Sequence, residues 1–317
     1  MKKIIGNAKN LRIFLICCDF VLIFLLSIFY YLLLPIKTNS VVFISQGSVS
    51  KIITQLDKNN YKMSSIDKYA LYFLGHPQSG WINIGTNALN RAEFLHKLTI
   101  AKAALETITL IPGETTEIFF HELAPKLNLN AKTLMQEFHK QSPFKEGMLF
   151  PETYKIPKGI TEELLVKYLL AYSTNEFKKL SFKIFREYNE KKWHEYIIIA
   201  SIIQKEAADN EEMPIISSVI RNRLKKGMKL QMDGTLNYGK YSHEKVTPQR
   251  IRSDNSSYNT YKFSGIPKEA VCNVSFEAIK AAIFPAKTEY LYFVRDKKTN
   301  KHIFTSTLKE HNKAIRN

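Results

Sequence analysis

Residues 13–34 form a run of 22 positions with one ionisable group, Asp19. As a helix the run rises about 33 Å, enough to cross the hydrocarbon core of a bilayer. Lys2, Lys3, Lys9 and Arg12 precede it with no acidic residue among them. That asymmetry places residues 1–12 in the cytoplasm. A cleaved signal peptide would have a shorter apolar core and small residues at a cut site. Here the run ends Tyr30-Tyr31-Leu32-Leu33-Leu34-Pro35 instead. The expectation is an uncleaved, single-pass anchor in the cell (inner) membrane, with everything after Pro35 periplasmic or otherwise extracytoplasmic. Tyr30 and Tyr31 fall where aromatic residues line the outer interface, and Asp19 is a costly charge within the span.

The rest of the chain is bounded by its charge and cysteines. Of three cysteines, Cys17 and Cys18 are adjacent within the apolar run, leaving Cys272 alone outside it. This excludes a disulfide framework and a Cys-based zinc site. The formal net charge is +17, of which the anchor region carries +3 and the remainder +14. Outside the cytoplasm such an excess suits anionic lipid headgroups or the carboxylates of wall peptides rather than nucleic acid. General lysine richness explains it about equally well.

Past a short polar linker at 37–40, the residue pattern predicts a strand at 41–45, a helix from 47 to 56 and a helix at 65–74 capped by Ser65. A strand lies within 80–85, a helix at 91–101 and a strand at 105–111. This is a small α+β module. Pro112-Gly113-Glu114-Thr115 makes a turn into helices at 116–127 and 131–141. An extended stretch follows at 146–154, then one long helix at 161–188, an apolar helix at 193–208 and another reaching Lys226. The remainder is rich in turns, with a strand at 290–294 and a last helix at 308–314.

Glu206 is the strongest candidate for chemistry. Counting back by helical spacing gives Ile203, Ile202 and Ile199, so the carboxylate continues an apolar stripe instead of opposing it. It also lies near a helix C-terminus, where the macrodipole disfavours negative charge. Both effects raise a carboxyl pKa, and a carboxyl protonated near neutrality suits protonation of a leaving oxygen. The competing reading is a structural glutamate paired with Arg221 or Arg223. The eight histidines show no metal-ligand spacing, and there is no G-x-S-x-G, P-loop or G-x-G-x-x-G.

Ala200-Ser201-Ile202-Ile203-Gln204-Lys205-Glu206 resembles the signature of the YceG-like family, the MltG-type endolytic murein transglycosylases. The resemblance continues through Glu212, Asn222-Arg223-Leu224, Gly227-Met228-Lys229-Leu230-Gln231-Met232-Asp233 and Tyr258-Asn259-Thr260-Tyr261. Gly265-Ile266-Pro267, Pro285-Ala286-Lys287-Thr288, Tyr290-Leu291-Tyr292-Phe293-Val294, Phe304 and His311-Asn312 follow in order. Upstream, Ile111-Pro112-Gly113-Glu114 and the stretch from Glu146 to Tyr154 are also similar. Three departures stand out: Gln204 where relatives carry an acid, Gly234 where proline is usual, and Val274 near another usual proline.

The resemblance implies an α+β chain of four parts: 1–12 cytoplasmic, 13–34 transmembrane, 41–110 a LysM-like module, and 111–317 a larger mixed α/β catalytic domain. It implies a lyase that cuts MurNAc-GlcNAc bonds inside glycan strands without water, leaving 1,6-anhydro-MurNAc ends and trimming or terminating nascent strands. Glu206 would act first as acid and then as base, with no cofactor or metal. Asn222, Gln231, Asp233, Tyr258, Asn259 and Tyr261 are placed around the cleft. Glu212 and Arg223 are read as residues that hold Glu206, and Glu152 as a weaker candidate on a loop that either covers the cleft or simply packs. Implied partners are peptidoglycan strands, the bilayer and peptidoglycan synthases. Two other readings remain open at this point: a non-catalytic murein-binding anchor for wall synthases, and a two-carboxylate muramidase.

Overall fold

The computed structural model describes residues 2–85 and 88–316, with side chains from residue 10 onward. The chain divides into two compact units, one of 1–105 plus 157–159 and the other of 106–156 plus 160–317.

The first unit opens with α1 (Lys2–Leu33), whose segment Asn10–Leu33 is long and apolar enough to cross a membrane. Of the expected linker, residues 38–40 lie outside helix and strand, while Lys37 ends a strand. β1 (Pro35–Lys37) begins two residues after α1, and β2 (Val41–Ile44) follows. α2 (Val49–Leu56), α3 (Ser65–Leu74), β3 (Gly80–Asn83), β4 (Ala88–Asn90) and α4 (Arg91–Ile100) complete the unit. β1 pairs antiparallel with β4, and β2 with β3 in the register Val42↔Ile82. β4 was not foreseen: at three residues it is too short to show an alternating pattern.

The cap of α3 is Ser64, one residue before the expected one. Its Oγ accepts the Ile66 N–H, and Asp67 reaches back to the Ser64 N–H at 2.7 Å. Ile44, Ile52, Leu56, Leu71, Ile82, Phe94, Leu95 and Leu98 form the buried core of this unit.

In the second unit β5 (Leu105–Thr109) pairs with β6 (Thr153–Pro157). Between them lie α5 (Thr116–Leu127), capped by Thr115, and α6 (Ala131–Gln141), capped by Asn130. The long helix expected at 161–188 is α7 (Glu162–Phe185), which stops because Arg186 turns left-handed at φ 62°. Asn189 then caps α8 (Glu190–Glu206), which starts three residues earlier than expected and ends on Glu206 itself.

α9 (Met213–Lys225), two short 3₁₀ turns at Asp233–Leu236 and Gly239–Tyr241, α10 (Pro248–Ser253) and α11 (Phe276–Ile283) follow. The chain closes with the hairpin β7 (Tyr292–Arg295) and β8 (His302–Thr305), then α12 (Leu308–Arg316). One apolar core lies under α5, α6 and α7. Another gathers α8, α9 and α11 around Ile197, Ile202, Ile203, Ile216, Val219 and Ile279. The second core positions the site.

Candidate active site

Glu206 sits where α8 stops. Ile202 and Ile203 are fully buried one turn below it, so the helix end is anchored from beneath. Ala207 leaves in an extended conformation while its N–H still bonds to Ile203 O, which closes the last turn. The carboxylate faces a cavity of about 390 Å³ lined by Glu206, Arg223, Gln231, Met232, Asp233, Tyr261, Tyr292, Phe293, Leu308 and His311.

Burial pushes the Glu206 carboxyl up to about 7, with the Asp233 charge adding to the rise. The Gly234 N–H, which donates to Oε1 at 2.8 Å, and the positive charge of Arg223 pull against it.

The structural pairing weighed above does not form. Arg223 donates through Nε to Leu291 O at 2.6 Å and through its guanidinium to Leu230 O, and it lies over the Tyr292 ring. Arg221 donates to Ala282 O at 2.6 Å. Among the described residues neither makes an ion pair with Glu206. Arg223 therefore lends charge to the cavity while its own donors serve the backbone that frames it.

Gly234 has a role the sequence did not suggest. A Cβ built there would lie 2.7 Å from Glu206 Oε1 and 2.7 Å from Lys205 Cβ. Its backbone is not in the left-handed region, so what a side chain would meet here is crowding rather than backbone strain. The residue does two things: it admits the carboxylate and donates an N–H to it. Proline in this position would have no such donor.

Tyr261 donates its hydroxyl to Asp233 at 2.6 Å, and burial, followed by that bond, holds its own pKa above the usual value. Gln231 adopts φ 50° and is fixed by its N–H to Thr260 O at 3.2 Å, which turns its side chain toward the same cavity.

The other expected site residues lie elsewhere. Asn222 clips the chain by donating to Thr288 O at 2.9 Å and Tyr290 O at 3.0 Å. Asn259 is fully buried and donates to Ile251 O and Asp254 O, both at 2.8 Å. Tyr258 stacks on Tyr238 at 4.2 Å and donates to Ala270 O. Glu152 is exposed and bonds only to the N–H of Thr153 through its side chain.

Glu212 does not touch Glu206. It accepts from His302 N and Nδ1, each at 2.7 Å, and from Ala208 N at 3.1 Å. Burial raises its pKa, but these donors outweigh burial and leave it below the ordinary value. Its reach to Glu206 is through the backbone, by tying down the chain two residues past the helix end.

Tyr292, Phe293, Leu308 and His311 line the cavity without having been assigned roles. Three of them belong to quoted motifs, but only the β7–β8 hairpin and α12 bring them to Glu206. His311 stacks on Tyr292 at 5.3 Å, and burial followed by the Arg223 charge lowers its pKa.

A second buried carboxyl, Glu146, was also unforeseen. It accepts from Thr116 Oγ1 at 2.5 Å, from Thr116 N and from Gly147 N at 2.9 Å, and burial again pushes its pKa to about 7.

Among the described residues no group of acids, histidines and cysteines is arranged to hold a metal ion.

An endolytic murein transglycosylase of Bacillus subtilis (strain 168) is 37% identical over 170 residues, covering 53% of this chain and 46% of that protein. An endolytic murein transglycosylase of Streptococcus pneumoniae serotype 2 is 31% identical over 184 residues, covering 54% of this chain and 31% of that protein. The matched stretch thus spans less than half the length of these curated relatives. The crystal structure of a YceG-like protein from Listeria monocytogenes superposes with a TM-score of 0.56 and 26% identity, covering 87% of this chain and 99% of that one. The model of the YceG-like family matches residues 42–317, and the chain belongs to that family.

Proposed function

We propose that the protein is a membrane-anchored lytic transglycosylase that cleaves peptidoglycan glycan strands internally, with Glu206 as its single acid and base. The observation that carries this reading is a carboxyl with its pKa near 7, open to a cavity and, among the described residues, held in no ion pair. In the protonated form Glu206 gives its proton to the oxygen leaving C4 of GlcNAc. Positive charge builds on the MurNAc anomeric carbon, with the Asp233 carboxylate on the same cavity wall. Glu206, now ionised, takes the proton from the MurNAc C6 hydroxyl, and that oxygen closes the 1,6-anhydro ring. The nucleophile is already part of the sugar, so its effective concentration is high and no water is consumed. Gly234 and Arg223 stabilise the ionised form between the two proton transfers. Phe293 and Tyr261 line the cleft where pyranose rings can lie.

The remaining parts follow from this reading. α1 spans the membrane with its N-terminus in the cytoplasm and holds the catalytic unit, 111–317, on the outer side. The order β2–α2–α3–β3, with its two strands paired antiparallel, supports a LysM-like module over 41–110. Peptidoglycan synthases are the partners such placement would bring within reach.

Asp233 shares the cavity with Glu206, and this favours one rival, a two-carboxylate hydrolase. Incubation of the purified full chain with murein, followed by mass spectrometry of the products, decides between them. Anhydro ends are expected. Reducing MurNAc ends would make the protein a hydrolase, and an uncut polymer would make it a binding anchor.

A further inference from the structure

The first unit carries an apolar groove that murein chemistry does not use. One wall is the stripe Phe24, Ile28 and Leu32 on α1; the other is Tyr69, Phe73 and Leu74 on α3. The groove encloses about 760 Å³. Its polar wall residues are Ser65, Glu93, His96 and, through its hydroxyl, Tyr69, and the Glu93 carboxylate accepts the Asn90 N–H at 3.1 Å. Phe73 is 92% exposed and Tyr69 67%. Apolar surface of this extent is rarely left to water.

α3 cannot swing away from α1. Tyr31, in the last turns of α1, donates its hydroxyl to Asp67 at 2.7 Å. Arg91 donates to the same Asp67 oxygen at 2.9 Å and stacks over the Tyr31 ring at 4.6 Å. The Arg91 N–H bonds to Leu34 O at 3.0 Å, and β1 starts at once after α1. Asp67 belongs to α3, so the clamp fixes this helix beside the outer end of α1. Phe24 stands nine residues before Leu33, about 13 Å along the helix axis. That is nearly the depth of one leaflet of hydrocarbon.

From this geometry we infer that the exposed face of α3 is immersed in the outer leaflet, with phospholipid acyl chains filling the groove. The inference rests on the reading of α1 as a membrane span. A groove wall formed by the span itself lies at bilayer depth, and α3 is tied to that wall. The module is then held by two helices, one crossing the membrane and one lying in its outer layer.

The test uses the full chain with Cys17→Ser and Cys18→Ser, leaving only the buried Cys272. Single cysteines are introduced by Ile28→Cys, Phe73→Cys and Lys298→Cys. Each is labelled with the fluorophore NBD and placed in nanodiscs of phosphatidylcholine and phosphatidylglycerol containing doxyl-labelled lipid. The expected result is loss of emission at position 73 as strong as at position 28, with position 298 unaffected. Quenching at 28 but not at 73 would overturn the immersion of α3 and leave the span intact. Quenching at neither would show that α1 is not a span, and the inference would fall with it. Disulfide-linked dimers forming through Phe73→Cys in place of lipid quenching would show that a second copy covers the groove, which also overturns it.

Discussion

Glu206 and Glu146 are two glutamates of the same unit whose burial lifts both pKa values to about 7. Their surroundings differ. Glu146 accepts from Thr116 Oγ1, Thr116 N and Gly147 N, and its side chain is buried. Glu206 accepts one hydrogen bond, from Gly234, and opens on the cleft. A raised pKa alone therefore does not mark a catalytic acid. Unused acceptor capacity facing a space large enough for a sugar does. At Glu146 the accepted hydrogen bonds tie the start of α5 to the loop before β6, and burial alone lifts the pKa against them.

The contrast breaks if Glu206→Gln keeps its activity. Murein cleavage by that variant is expected to fall by about a thousandfold or more, read from anhydro-muropeptide release, with the fold intact. Gly234→Ala is expected to lower cleavage by roughly a hundredfold, because the added carbon displaces Oε1 from a 2.7 Å approach. A normal rate would mean that the carboxylate relaxes freely. Glu146→Ala should instead act on stability. It orphans the Thr116 and Gly147 donors at a cost of about 2 kcal/mol, seen as a lower midpoint in denaturant, while each folded molecule still cuts.

The pH dependence sharpens the comparison further. The acid form of Glu206 does the first step, so kcat/KM should drop about tenfold per pH unit above the pKa near 7. Glu146→Gln should leave that midpoint in place; a shift with Glu146 would assign the titration to the wrong carboxyl. Both groups have folded pKa values raised above the ordinary 4.5. Their stabilising contribution is thus complete below about pH 4.5 and is lost as the pH rises through about 7. Glu206→Gln should therefore melt higher than the native chain at pH 8. The smallest effect is expected at Glu152, which is exposed: Glu152→Gln should change neither rate nor midpoint.

Patterns local to the chain were legible in the sequence. The apolar run, the turn that leads into the helix at 116 and the apolar helix that carries Glu206 each follow from neighbouring residues. The stripe Ile202, Ile203, Glu206 carried the orientation of the carboxylate, because burial of the isoleucines leaves it little choice. Contacts made over long sequence separations were not legible. His311 and Tyr292 reach the cleft only through the final hairpin and helix, 105 and 86 positions beyond Glu206. Asn222 and Asn259 looked like sugar ligands because amides suit that task, but the same donors suit loop carbonyls equally well. Gly234 looked like a local irregularity, since the crowding that demands it comes from Lys205 and Glu206, nearly thirty residues earlier.

The first unit is not a continuous stretch of chain. Residues 157–159 belong to it, and the Lys158 N–H bonds to Ala104 O at 2.9 Å. A deletion series stopping at residue 105 would strip that carbonyl of its donor. Grafting the unit onto another enzyme would need three junctions, after residue 105, before residue 157 and after residue 159.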